Sequence, residues 1–396
     1  MTPDKSEMFR FPWSKTDNPG AWIEVTDICN FNCPGCFRKN NLEGHKTLDV
    51  IKSEVIQCKK MTNCSRICIS GGEPLMHPHI VEIVKFISSQ KLKSIILSNG
   101  EFLNPDLAKK LSNAGLFQFY LHADSGQNRP GWINKTEIEM NELRQYYVDL
   151  VHKAGGIKCG FNLTIRHSNL NQVQDIVSWY RKNIDKASHL SLIAFRGIPE
   201  FENMNSQTGG QTEVRDALHD NIKLPEEINI SSVDILKRLS FHFNDLTPSA
   251  YLPGTPVADT YKLLTINLIG SKTCIYGSIG KKSIEIHQLT NHLFRRKYDA
   301  TVPNPGRIIF FLSLVDKTIR KAFKNYVISV LKNPLNLFKR IYVQSIVIQQ
   351  PFEVINGEVN LCDGCVNLMP YKNKMINSCR LEEYRLFGGP LTFLNK

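Results

Sequence analysis

The chain of 396 residues contains no uninterrupted apolar stretch of about 18 residues, so none of its helices should span a bilayer. Its opening residues, Met-Thr-Pro-Asp-Lys-Ser-Glu, lack the basic-then-apolar order of a secretory signal peptide. Internal repeats and low-complexity tracts are absent too, and the chain reads as globular. Without an export signal, its eleven cysteines argue for a reducing compartment and metal ligation rather than disulfides. An apolar content of 42% is enough to bury a full core, in one large domain plus an appendix. Acidic residues are in deficit, giving a net charge of +12, and the deficit is local. Between Arg295 and Ile341 there are eleven Lys or Arg against two acids, Asp299 and Asp316.

From residue 21 to about 196 short apolar runs alternate with longer amphipathic ones. The pattern predicts strands over Ala21–Asp27, Arg66–Ser70, Ser94–Ser98, Phe117–His122, Lys158–Thr164 and Leu190–Phe195. Helices are expected between them, over Leu48–Cys58, His79–Gln90, Pro105–Ala114, Thr136–Ala154 and Leu170–Asn183. Six β units alternating with helices predict a parallel sheet wound in one direction into an open six-stranded barrel. Asn203–Gln211 reads as a loop, and Ser231–Phe243 as a helix with a cap-like Ser-Ser-x-Asp start. The expected division is therefore an N-terminal extension (1–20), a barrel (21–200), a linker and helical region (201–260) and a C-terminal unit (261–396).

The most informative residues are Cys29, Cys33 and Cys36, a C-x3-C-x2-C triplet in the loop after the first strand. One βα unit later comes Gly71-Gly72-Glu73-Pro74. Three thiolates hold three irons of a [4Fe–4S] cube and leave the fourth iron open, because each iron needs one outside ligand. A thiolate-only zinc site instead wants four ligands in two knuckles. This combination resembles the radical S-adenosylmethionine (SAM) superfamily, in the subgroup with Cys-Pro-Gly-Cys followed by an aromatic residue. The resemblance implies a partial (β/α)6 TIM-like barrel and a cluster whose open iron chelates the amino and carboxylate groups of SAM. It also implies reductive cleavage of SAM to methionine and a 5′-deoxyadenosyl radical, with an external electron donor such as ferredoxin or flavodoxin.

In such barrels the chemistry sits at the C-terminal ends of the strands. The cysteines, Gly71–Pro74, Ser98-Asn99, Asp124 and Arg196 all fall there. The resemblance implies that Gly71, Gly72 and Glu73 meet the SAM amino group, with Pro74 fixing the turn. Asp124 is a candidate for a ribose hydroxyl, against the alternative that it caps the next helix. Ser98 and Asn99 are candidates for ribose or the SAM carboxylate, against a plain turn. Asn162 and Arg196 are polar exceptions near the ends of the fifth and sixth strands and complete the SAM set. The run from His122 to Trp132 is loosely similar to runs in superfamily members acting on lipids or pterins, archaeal tetraether lipid synthase among them.

A second constellation lies near the C-terminus: Cys362-Asp-Gly-Cys365, then Cys379, with the remote Cys274 as candidate fourth ligand. Separated ligands of this kind resemble the superfamily's auxiliary-cluster extensions. Four thiolates suit a second [4Fe–4S] cluster, a rubredoxin-like iron or zinc, in that order. Cys58, Cys64, Cys68 and Cys159 read as core thiols.

Within the basic segment, Leu312, Val315, Ile319, Phe323, Tyr326 and Val330 recur at helical spacing across Ile309–Leu331, and Lys317, Arg320, Lys321 and Lys324 take other positions. A second helix is expected after Pro334, through Leu335, Phe338, Ile341, Tyr342 and Ile346. Such helices lie on anionic membrane surfaces or pack with a solvated basic face, and both readings stand. The reading is therefore a cytoplasmic radical SAM enzyme, with peripheral attachment at the inner membrane surface left open, that modifies a substrate carbon, in the first place of a lipid. The alternatives are a peptide- or pterin-modifying member and, from another class, a non-catalytic zinc protein that binds nucleic acid. The last lacks two complete zinc knuckles and has no use for a barrel.

Overall fold

The computed structural model describes residues 3–34, 36, 38, 44–195, 204–208, 211–213, 230–355, 358–390 and 392–395. After a short β1 (Phe9–Arg10), the barrel elements follow in order: β2 (Gly20–Thr26), α1 (Leu48–Thr62), β3 (Arg66–Gly71), α2 (Ile80–Ser89), β4 (Lys93–Ser98) and α3 (Pro105–Asn113). Next come β5 (Leu116–His122), α4 (Met140–Ala154), β6 (Lys158–Ile165), the single turn α5 (His167–Leu170), α6 (Val173–Lys182) and β7 (Ala187–Ala194). All neighbouring pairs from β2 to β7 are parallel, as the alternation requires. Apolar residues alternate along each strand, so Ile67, Ile69, Phe119, Leu121, Phe161 and Leu163 pack outward on the helices in one core. Cys68, Ile95 and Tyr120 face inward as a smaller cluster with Trp22, Leu97 and Phe117.

The remaining elements enlarge this sheet rather than standing apart. The hairpin strands β8 (Met204–Thr208) and β9 (Gln211–Glu213) precede α7 (Ser232–His242), whose start is the expected capping box of Ser231 and Asp234. Then come β10 (Ala250–Pro253), β11 (Tyr261–Ser271), β12 (Cys274–Ser278), α8 (Lys281–Arg295), α9 (Lys317–Lys332) and β13 (Tyr342–Gln349). β13 runs parallel beside β7, β11 is antiparallel to β13, and β10 and β1 follow, so one sheet extends from β1 to β2. The expected boundaries at 200 and 260 therefore do not coincide with a break in the sheet.

Three local expectations fail. Residues 309–331 form no single helix: a 3-10 segment, Gly306–Leu314, stops where Asp316 caps α9 by accepting from the Thr318 and Ile319 amides. The helix expected after Pro334 is a short 3-10 turn followed by β13, where Val343, Ile346 and Ile348 are buried between two neighbouring strands. In the polar run Asn203–Gln211, expected as a loop, Met204–Thr208 instead pairs with the distant β18 (Thr392–Asn395) and with β9, which no local pattern announces.

The C-terminal segment comprises β14 (Glu353–Ile355), β15 (Glu358–Asn360), β16 (Leu368–Tyr371), β17 (Lys374–Asn377), α10 (Leu381–Phe387) and β18. It connects the two sides of the open sheet. Cys362 bridges to Gly254 beside β10, and the Asn18 side chain, just before β2, donates to the Cys365 carbonyl at 2.8 Å. Among the described residues no helix is long and apolar enough to cross a membrane.

Candidate active site

The cysteine loop leaves β2 at Thr26, and its backbone rests on the end of β3. Gly72 N–H donates to the Thr26 carbonyl and Glu73 N–H to the Ile28 carbonyl, both at 2.8 Å. A Cβ on Gly71 would collide with Thr26 O, and one on Gly72 with Ile28 O. Gly71 also has φ +128°, which L side chains rarely adopt. The glycine pair is thus required by the close approach of β3 to the chain just before Cys29.

Glu73 is 1% exposed and all of its carboxylate is in use. It accepts from Leu75 N–H (2.9 Å), the Ser98 hydroxyl (2.7 Å) and Asn99 N–H (2.7 Å). Burial raises its pKa against the pull of these donors. Asn99 in turn donates to the Asn30 side chain at 2.8 Å, so Glu73, Ser98, Asn99 and Asn30 form one chain from β4 to the cysteine loop. Glu73, Ser98 and Asn99, expected near SAM, bond one another through the Glu73 carboxylate and brace the loop.

Three arginines grip the same loop, and sequence reasoning did not single them out. Arg129, 2% exposed, lies 4.9 Å from the Phe31 ring centre and donates to the carbonyls of Asn99 and His122. Arg166 donates to the Pro34 carbonyl at 2.8 Å and stacks on Phe195. Arg38 pairs with buried Glu24 on β2 and donates to the Ser378 carbonyl at 3.0 Å, which ties the cysteine loop to the C-terminal segment. All three come from loops or strand ends without a repeating pattern, so only the fold reveals them.

Asp124 resolves to its capping alternative. It is 3% exposed, accepts from His122 Nε2 (2.5 Å) and Thr164 N–H (2.8 Å), and caps the 3-10 turn Ser125–Gln127 by accepting from Gly126 N–H (2.9 Å). Burial, the largest single influence, opposes its ionisation, but His122, the Thr164 N–H and Arg166 together outweigh it and hold it below the usual carboxylate range. Asn162 is different: its Oδ1 is buried and finds no partner, on the same rim as His122. Arg196 lies outside the described residues.

At the C-terminus the Cys362 thiol donates to Cys365, which raises the Cys362 pKa and lowers that of Cys365. Cys379 is close enough to be influenced by Cys365 and by Arg38, and burial pushes its thiol up to about 12. Cys274 does not join them. It pairs with Ser271 at the far end of β11 from Tyr261, beside Arg181, Asp245 and Lys339. Because β11 is antiparallel to the barrel strands, that end lies with their N-termini, away from the cysteine rim. Cys58, Cys64, Cys68 and Cys159 are buried, as expected of core thiols.

A parallel barrel with three cysteines in the loop after its first strand is the architecture of a cluster-bearing α/β enzyme. Residues 23–180 match the Radical SAM superfamily. It is 27% identical over 52% of its length to the 7,8-dihydro-6-hydroxymethylpterin dimethyltransferase of Methanocaldococcus jannaschii, covering 41% of that protein. It is 26% identical over 40% of its length to a probable GTP 3′,8-cyclase of Methanococcus aeolicus, covering 54%, and 25% identical over 44% to the AdoMet-dependent heme synthase of Methanosarcina barkeri, covering 48%. The chain thus spans about half the length of these relatives. Among solved structures, SuiB of Streptococcus suis bound to S-adenosylmethionine overlaps 58% of this chain and 48% of its own, with TM-score 0.40 and 17% identity. The hydrogenase maturase HydG of Carboxydothermus hydrogenoformans overlaps 58% and 52%, with TM-score 0.40 and 17% identity.

The superfamily implies a [4Fe–4S] cluster with SAM, and the donor set fits it. Among the described residues no three His, Cys, Asp or Glu side chains close on a point as ligands of one metal ion do. A cube distributes its thiolates over separate irons and needs them farther apart. Cys29, Cys33 and Cys36 nonetheless sense one another electrostatically, and burial raises the Cys29 thiol and pushes that of Cys33 up to about 12. Each therefore releases a proton when it binds iron. The three arginines supply positive charge around the anionic centre.

Proposed function

We propose that the protein binds a [4Fe–4S] cluster through Cys29, Cys33 and Cys36 and uses it to cleave SAM reductively and modify a substrate carbon. The observation that carries this reading is the cysteine triplet on a loop braced over the C-terminal ends of β2, β3 and β4 by Gly71-Gly72, Glu73 and Asn99. Held by Cys29, Cys33 and Cys36, the cluster would supply the one-electron reduction, drawn from an external donor such as ferredoxin or flavodoxin, that splits SAM into methionine and a 5′-deoxyadenosyl radical. The chain's own part is positional. Glu73 and Arg129 fix the loop from below, and Arg166 and Arg38 hold its two sides. The backbone of Gly71–Pro74 and the unpartnered Asn162 Oδ1 remain the groups we assign to SAM or substrate.

We further assign a second thiolate-bound metal centre to Cys362, Cys365 and Cys379, without Cys274. For the substrate we favour a pterin, the substrate class named for the dimethyltransferase relative. A lipid, the first expectation, draws no support from the exposed surface of residues 306–340, which lies at the opposite end of the barrel from the cysteine rim. Anaerobic reconstitution with iron and sulfide tests the metal assignment. Replacing Cys29, Cys33 and Cys36 by Ala should remove about four irons per chain. Unchanged iron content would defeat it.

A further inference from the structure

Residues 279–341, between β12 and β13, hold eight of the nine large apolar side chains that are exposed by 66% or more among the described residues. Such a concentration is unusual on a monomer's surface and marks a contact with something else. The stripe that the sequence suggested as a membrane face is divided: Ile319 and Tyr326 are buried in a core with Leu263, Ile269 and Tyr276, while Val315 and Phe323 are exposed. The most exposed set is different: besides Leu293 and Phe294 on α8, it comprises Ile308, Phe311 and Leu314 from the 3-10 segment, Leu331 at the end of α9, and Leu335 and Phe338 beyond it.

Hydrogen bonds make these one surface. The Arg307 guanidinium donates to the carbonyls of Leu337 and Lys339, drawing the turn that carries Ile308 to the turn that carries Phe338. Arg320 donates to the Ser313 and Leu314 carbonyls at 3.0 and 3.1 Å, and Asn336 to the Ser329 carbonyl at 2.9 Å. Asp316 fastens the assembly to α8 through Ser283, whose hydroxyl donates to it at 2.7 Å.

The charge selects the partner. From Lys317 to Arg340 the chain has no Asp or Glu, and Lys321, Lys324 and Lys332 are exposed on the helix that carries Leu331. In an isologous contact with a second copy, cations would face cations with no acid from this stretch between them. Nucleic acid would use the cations but leave the Leu and Phe side chains in water. A bilayer of anionic phospholipid satisfies both, taking the apolar side chains below its headgroups and the cations among them.

We propose that residues 306–340 dock the protein on an anionic phospholipid membrane. The surface lies with the N-terminal ends of the barrel strands, since Asp299 pairs with Lys93 at the start of β4 and Lys339 reaches Thr273 between β11 and β12. Docking there turns the cysteine rim away from the bilayer, where a soluble electron donor has access. That last point alone rests on the proposed radical chemistry.

The test is sedimentation of the full chain with vesicles of phosphatidylcholine alone or mixed with phosphatidylglycerol. The protein should pellet with the mixed vesicles far more than with the neutral ones. The variant K321Q/K324Q/K332Q should lower partitioning roughly fivefold per charge removed, and F311S/F338S by at least about tenfold per ring. These side chains face solvent, so circular dichroism and iron content should not change. The proposal is overturned if the unaltered protein stays in solution with anionic vesicles, or if both variants pellet as it does. It is also overturned if ultracentrifugation finds a dimer that F311S/F338S dissociates while vesicles are not bound. None of these outcomes depends on SAM cleavage.

Discussion

Glu73→Gln separates two roles for a residue that the family motif links to SAM and the structure places in the scaffold. The carboxylate uses one oxygen for Leu75 N–H and the Ser98 hydroxyl and the other for Asn99 N–H. An amide can replace one oxygen only. Its NH2 group then opposes either the Asn99 N–H or the Leu75 N–H, and a buried donor left unpaired costs about 1–3 kcal/mol. The two remaining bonds also lose their ionic character, worth roughly another 1 kcal/mol together. Against this, the amide escapes the burial cost that raises the Glu73 pKa. A net local loss of about 2 kcal/mol is expected, roughly thirtyfold in the population of the locally open state. Hydrogen exchange followed by mass spectrometry, without iron or SAM, should show that acceleration in residues 73–76 and 98–100 and leave α6 unchanged. Unaltered exchange in the variant, accompanied by weakened SAM binding to the reconstituted protein, would refute the scaffold role.

Gly72→Ala forces its new Cβ against the Ile28 carbonyl and displaces the start of the cysteine loop; iron loading should fall severalfold while the thermal midpoint moves little, and normal loading would show that the close approach is dispensable. Cys365→Ser should reduce the iron or zinc held by the C-terminal segment, whereas Cys274→Ser should not, because Cys274 sits at the opposite end of the sheet; equal effects on metal content would contradict that separation. The thiols of Cys29 and Cys33 are raised by burial and therefore protonated at neutral pH, so each ligand exchanges a proton for iron. Apparent iron affinity should fall as pH is lowered, with proton release measurable in weakly buffered solution, and pH-independent loading would exclude thiolate ligation.

The barrel was legible because its strands combine two local signals, a short apolar run and a following amphipathic helix, repeated six times. The six expected strands lie within three residues of those observed. β13 was not legible. Its buried Gln344, Ile346 and Ile348 serve a strand whose partners, β7 and β11, are supplied by distant segments, whereas Ile341, Tyr342 and Ile346 fit a helical spacing. The candidate site divided along similar lines. Cysteines at fixed spacing announce themselves, and Gly71-Gly72 was found, although its glycines serve backbone packing. Arg129, Arg166 and Arg38 were missed because each acts on the loop from a different part of the chain. Cys274 was misassigned because sequence distance does not tell which end of a sheet a residue occupies. Asp124 was balanced between a ribose contact and a cap, and the hydrogen bond that it accepts from Gly126 N–H makes it a cap of the following turn.

The central claim is that the Cys29–Cys36 loop supports reductive cleavage of SAM. Its most direct test is anaerobic incubation of the reconstituted protein with SAM and dithionite, with 5′-deoxyadenosine quantified by chromatography. The account predicts 5′-deoxyadenosine from the unaltered protein and none from the Cys29→Ala/Cys33→Ala/Cys36→Ala variant, which should keep the metal held by Cys362, Cys365 and Cys379. Equal amounts of 5′-deoxyadenosine from both proteins, or none from the fully loaded unaltered protein, would contradict it.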